Sequence, residues 1–416
     1  MDRVTEHGPI DPSQGPPGDP MRDVPLFREI QRVLMASTGP VNWELARQVG
    51  IASASWGADD PQPTETERAE LEQTVRAAEL AVVDLTALPA PADVSRVEAV
   101  RRAQWVEASI SSLKDVIEPI AGRLTSSLGE LQGEGGGFPA LPGMPPGMSM
   151  PGMGSEDEPG NPAMASQVLG MIGPLLMGVQ AGTVLGALGQ RVFGQYDLAV
   201  PRPPGGLSFV VSNIARFEQE WELPRMEFRA WVALHEVTHR FEFAGSWARE
   251  HFVGLVRDLV EHAEIDLSSL QQRLESMDLS DPSAMSQGME GVGNLFGEAS
   301  SSEQRLRIAR VQSFVLAAEG YADHVTEALG RKMLSSFGKI DEAVRRFREG
   351  RPGDQALEQL LGLQMTDEQH RLGRAFCDTV GEQTAEATLS RMWGSADSLP
   401  SMPELEEPTL WLARMA

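Results

Sequence analysis

The stretch His235-Glu236-Val237-Thr238-His239 constrains this chain more than any other, because its chemistry needs a helix. Four residues apart on an α-helix, His235 and His239 project from one face, a turn apart, and can share a single tetrahedral metal ion. Glu236 is rotated about 100° around the axis, where it can act on a water beside the metal without ligating it. The surroundings support a buried helix. Pro224 suits a first turn, and Trp231, Val232, Leu234 and Phe241 supply apolar surface. Arg240, just after the second His, is charged where helices bearing this motif usually carry an uncharged residue.

The chain has 416 residues, 41% of them hydrophobic, which is enough for a sizeable core. A net charge of −25 argues against nucleic acid or an anionic membrane as a partner. Cys377 is the only cysteine, so the chain can hold neither an internal disulfide nor a thiolate metal cluster. Residues 1–24 are polar and rich in Pro and Gly, with neither the basic start nor the apolar run of a signal peptide. A cytoplasmic location is expected.

Composition divides the chain into four parts. Residues 1–24 read as a disordered arm, 25–131 as a helical N-terminal region, 132–164 as a flexible linker rich in Gly, Pro and Met, and 165–416 as the catalytic domain. The first region is expected to carry helices from Leu26, from Val41 to Ile51, from Thr64 to Leu88 with a Thr64/Glu67 capping box, and from Ser95 to Leu131 with a break near Pro119. Residues 265–300 are polar and read as weakly ordered. Helices are expected over Ser246 to Glu264, Arg305 to Leu334, Lys339 to Arg348, Gln355 to Leu363 and Thr366 to Leu389. Trp393 and Trp411 are placed to pin the tail.

Two stretches need a decision. Val168 to Leu188 is uncharged and long enough to span a bilayer, but its many glycines, Pro174, Gln180 and the missing basic flank on its N-terminal side favour a closely packed buried helix. Membrane association is therefore not expected. Leu207 to Val211 is the best strand candidate, positioned where an edge before the metal helix could pair with an extended peptide.

A zinc site needs a third protein ligand. Glu242 and Gly245 stand where the motif's common extension would need a Gly and a third His, so the ligand must come from farther along. In Phe314 to His324, Glu319 and Asp323 are four apart on one predicted helix, inside an apolar stretch where an unpaired carboxylate is costly. Glu319 is the expected ligand, with His324 and His262 as alternatives. Asp323 is expected to accept a hydrogen bond from the far nitrogen of a ligand histidine. Tyr321 or His324 is the candidate to stabilise charge on a reacting oxygen. Zinc is the expected ion, although His and Glu also accept Mn, Fe or Co.

These residues also carry a family resemblance. Gly194-Gln195-Tyr196-Asp197, Leu207 to Val211 with Asn213, Val232 to Phe243, Glu319 to Val325, Leu360 to Leu363, Gln369 to Phe376, Met392-Trp393 and Leu399 to Leu405 resemble the actinobacterial family of zincin-like hydrolases. That family is long known as a domain of unknown function, and is sometimes associated with biosynthesis of a deazaflavin cofactor. The Glu-x-x-x-Asp spacing is that of gluzincins. The resemblance implies a mainly α, zincin-like architecture with at most a small β element before the motif helix. It also implies His235, His239 and Glu319 at the metal positions and Glu236 as the base. The expected function is a zinc-dependent hydrolase, a metallopeptidase acting on a peptide or protein. The alternative is an inactive zincin-like scaffold with a structural or vestigial metal site.

Overall fold

Thr64 shows how local sequence sets the first long helix. Its hydroxyl accepts from the Glu67 N–H while the Glu67 carboxylate accepts from the Thr64 N–H, a reciprocal cap that satisfies two otherwise orphaned donors. The structure, a computed structural model, describes residues 39–57, 59–91, 96–133, 162–203, 205–263, 301–349, 363 and 367–416. The expected arm at 1–24, the helix from Leu26, most of the 132–164 linker, all of 265–300 and, apart from Leu363, the helix from Gln355 lie outside these residues.

The helices preceding the motif are α1 (Trp43–Ala54), α2 (Glu65–Thr86), α3 (Arg102–Gly133), α4 (Pro162–Gly189) and α5 (Val211–Glu220). The motif helix is α6 (Arg225–Glu242), followed by α7 (Ser246–Glu261), α8 (Ser302–Met333), α9 (Phe337–Glu349) and α10 (Asp367–Gln383). Short helical turns then lead to α11 (Met402–Glu406) and α12 (Pro408–Met415). The architecture is mainly α, as expected. One hydrophobic core runs from Val41 to Trp411, so side chains on both sides of the compositional linker share it. Trp411 is fully buried, and its indole N–H donates to the Ser398 carbonyl at 2.8 Å, which fastens the tail.

Two expectations within 95–131 change. Val97–Val100 is strand β1, not the start of a helix, and it pairs in parallel with β2, Leu207–Val210. Its pattern is too short to distinguish from a helix start, and the partner that makes it a strand lies more than a hundred residues away. Helix α3 runs through Pro119 without ending. Val116, Ile117, Ile120 and Ala121 are buried around that turn, and this packing outweighs the hydrogen bond that proline removes.

The strand itself is where the sequence places it, but its expected substrate edge is covered. One side of β2 pairs with β1. On the other, Val210 N–H donates to the Phe193 carbonyl at 2.8 Å and Ser208 N–H to the Gln195 side-chain oxygen at 3.3 Å. All four β2 residues are buried, so an extended peptide cannot add there.

No described helix is long and apolar enough to cross a membrane. The glycines of α4 serve close packing against α1. A Cβ at Gly178 would lie 2.5 Å from the Asn42 carbonyl oxygen, and one at Gly182 would lie 2.6 Å from that of Ala46. With Gly186 against Ser53, these form a stripe of four-residue spacing that lets two backbones meet. Gly182→Val should therefore destabilise by about 1 to 3 kcal/mol, read as a lower urea midpoint at unchanged slope. Gly173→Ala, where an added Cβ meets nothing within 4 Å, should be neutral or stabilising.

Candidate metal centre

Helix α6 is buried on nearly every face from Phe228 to Glu242, packed against α2 on one side and α8 on the other. Such burial demands partners for its ionisable residues. Arg229 donates to Glu218 at 2.9 Å and to Glu70 at 3.1 Å. Arg240, the charge just after the second His, donates to Glu79 of α2 at 3.2 Å. Along the opposite stripe, rings stack at four-residue intervals. Trp231 lies on His235 with centroids 5.4 Å apart, His235 meets His239 edge-on at 4.7 Å, and His239 stacks on Phe243 at 5.7 Å. The two imidazoles are thus held between aromatic walls.

Helix α8 brings the acidic partner. His235, His239 and Glu319 each offer a donor atom, and the three atoms lie within 4.8 Å of one another. Glu319 Oε2 is 3.9 Å from His235 Nε2. The protonation states suit a metal. Nδ1 of His239 is 2.7 Å from Glu242 Oε2, which holds the proton on Nδ1 and leaves the Nε2 lone pair free. That Nε2 is buried with no hydrogen-bond partner. Burial, reinforced by His235, pushes the His239 imidazole well below its usual range and keeps it neutral. Burial also raises the Glu319 carboxyl, a state that a nearby cation would reverse. An orphaned imidazole nitrogen facing an imidazole and a carboxylate fits a zinc ion.

Glu236 points away from this stripe into the Phe193–Asp197 loop. Its Oε2 accepts from the Tyr196 N–H at 2.7 Å. Burial, and then the charge of Asp197, lift its carboxyl well above the ordinary range. A Cβ at residue 194 would lie 2.5 Å from Glu236 Oε1, so only glycine fits there. The loop is fixed by the Trp105 indole donating to the Gly194 carbonyl at 2.8 Å and by Phe193 N–H donating to Asp197 Oδ2 at 3.2 Å. This explains physically why Gly194-Gln195-Tyr196-Asp197 stands out as a motif.

Other expected site residues are placed differently. Asp323 does not hold the far nitrogen of a ligand histidine. Its Oδ1 is 3.7 Å from His235 Nε2, the same nitrogen that faces Glu319. The orienting role falls to Glu242, which the sequence offers only as a charge in an apolar run three residues after His239. Burial tends to raise the Asp323 carboxyl, but Arg348 and His235 more than offset this and leave it below the ordinary range.

Tyr321 is about 200° around the helix from Glu319, and its buried hydroxyl pairs with Ser390 Oγ at 2.8 Å. His324 lies between Asp378 (Nδ1 to Oδ1, 2.6 Å) and Glu386 (Nε2 to Oε2, 3.2 Å). Burial lowers its pKa, and the two carboxylates outweigh that to bring it to about 9. His262 bonds to the Asp258 carbonyl at 3.0 Å. None of the three joins the donor cluster, so Tyr321 and His324 are not in place to stabilise a reacting oxygen. Removing the Glu242 carboxylate should loosen His239: Glu242→Gln is expected to weaken zinc affinity about 10- to 100-fold, measured by competition with a chromophoric chelator.

Comparison with known proteins agrees with this geometry. A family described as zincin-like metallopeptidase matches residues 41–412. No curated protein matches the chain. Among solved structures, it is similar to the crystal structure of a provisionally assigned hydrolase with a novel fold from Chloroflexus aurantiacus. The identity is 28% and the TM-score 0.60, over 90% of this chain and 98% of that one. With a His-Glu-x-x-His helix, a downstream Glu319 in reach of both imidazoles, and a match across nearly its whole length, the chain belongs to the zincin-like metallopeptidase family.

Proposed function

We propose that the protein hydrolyses peptide bonds, with His235, His239 and Glu319 holding zinc and Glu236 as general base. The observation that carries this reading is the convergence of the three donor atoms, with His239 Nε2 buried and unpartnered. When bound, zinc supplies a Lewis acid that polarises a carbonyl and acidifies a neighbouring water. The remaining work belongs to the chain. Glu236 takes a proton from the attacking water and returns it to the leaving nitrogen. Burial and the charge of Asp197 raise its carboxyl, which makes it a stronger proton acceptor. The hydrogen bond from the Tyr196 N–H holds this carboxylate in place.

A peptide or protein is the proposed substrate class. The proposed location is the cytoplasm, consistent with a single buried thiol at Cys377.

One observation favours a second reading. Glu236 is only 1% exposed and tied to a backbone N–H, as a purely structural clamp would be. The chain would then be a zincin-like scaffold without turnover. Glu236→Gln separates the two. With labelled casein and a random peptide pool as probes, the catalytic reading expects turnover by the native protein, a loss of about 10²- to 10⁴-fold in the variant, and unchanged zinc content. Full activity in the variant, or none in the zinc-loaded native protein, would contradict it.

A further inference from the structure

The donor cluster has a fourth close neighbour that the motif does not name. Arg348, in the last turn of α9, places Nη2 3.1 Å from His235 Nε2 and 3.9 Å from Glu319 Oε2. Its Nη1 lies 3.2 Å from Asp323 Oδ1 and 3.5 Å from Oδ2. The guanidinium thus has two sides with different duties. Nη1 is anchored by a carboxylate, and Nη2 points at the ligand atoms. The side chain of Arg348 is 36% exposed, against 3% for His235 and 0% for His239, so the site opens towards solvent on this side.

We infer that Arg348 is a catalytic residue that donates a hydrogen bond to the substrate's reacting carbonyl oxygen as negative charge develops on it. This rests on the zinc-hydrolase reading above. The first argument is donor accounting. A histidine nitrogen that binds a metal no longer accepts from Arg348, so Nη2 needs another acceptor, while Asp323 keeps the guanidinium beside the cluster.

The second argument is charge. Besides Glu319, the carboxylates around Arg348 include Asp323, Asp197 and Asp341, and Asp197 also acts on Glu236. A new anion would be repelled by these carboxylates. Arg348 supplies positive charge on the exposed side of the ligand atoms.

Distance gives the third. A group in hydrogen-bond contact with a ligand atom is too close to the reacting centre to serve a carboxylate several bonds away. The oxygen within its reach is the one under attack. In the step itself, water oxygen bonds to the carbonyl carbon, the C=O π pair moves onto oxygen opposite Nη2, and the water proton goes to Glu236. Collapse then restores C=O, breaks the C–N bond and passes the proton to nitrogen. This assigns to Arg348 the role expected of Tyr321 or His324.

The test uses the full-length zinc-loaded protein, Arg348→Gln and Arg348→Lys, with acetohydroxamate as probe because it offers a carbonyl-type and an anionic oxygen to a bound metal. Zinc content is measured by elemental analysis and probe affinity by calorimetry. About one zinc in all three proteins, at least tenfold weaker acetohydroxamate binding in Arg348→Gln, and partial recovery in Arg348→Lys would support the inference. Equal affinity at equal zinc content would overturn it and leave the zinc site standing. Native protein that takes up no zinc would overturn both readings together.

Discussion

The burial of α6 is the constraint on which the rest depends. An amphipathic helix can leave its ionisable groups in water, but α6 is enclosed by α2, α8 and the 193–197 loop, and five of its buried residues are ionisable in addition to Glu236. Each therefore dictates something in a neighbouring element. Arg229 and Arg240 need carboxylates on α2 and α5. His239 needs Glu242 on one nitrogen, and its other nitrogen has no protein partner. A structural histidine would be expected to have both nitrogens satisfied. The missing partner at one of them is what a metal ligand would show and a packed core histidine would not.

Glu236 shows the same logic applied to the carboxylate of the motif. Its carboxyl is desolvated by the close approach of Gly194, held by the Tyr196 N–H and lifted further by Asp197. The loop that does this is braced from α3 by Trp105 and packed against β2. The small sheet therefore serves the site indirectly. It positions the loop behind Glu236, and its covered edge takes no part in receiving a peptide.

Much of this was legible in the sequence because it is local. Histidines four apart fix their own geometry once the helix forms, and Thr64 with Glu67 announces a helix start. The glycines of α4 argue for close packing rather than a membrane span. Glu319 was legible because a carboxylate in an apolar stretch requires a reason.

What was not legible depends on relations across the fold. Val97–Val100 becomes a strand only through β2. The β2 edge is covered only because Phe193 and Gln195 return beside it. Asp323 has the right spacing, but the phase of α8 aims it at the nitrogen of His235 that faces Glu319, and Glu242, a charge in an apolar run, is the carboxylate that pairs with His239 Nδ1. Arg348 lies among other arginines of α9, and nothing local separates it from Arg345 or Arg346, which pair with Glu342 on the exposed side.

The most direct test of the account is the metal content of the purified native protein beside Glu319→Ala and His235→Ala. About one equivalent of zinc in the native protein, lost in both variants while each remains folded by circular dichroism, is the predicted result. Zinc retained in Glu319→Ala would remove α8 from the site, and a native protein indifferent to both zinc and chelator would contradict the metal centre itself.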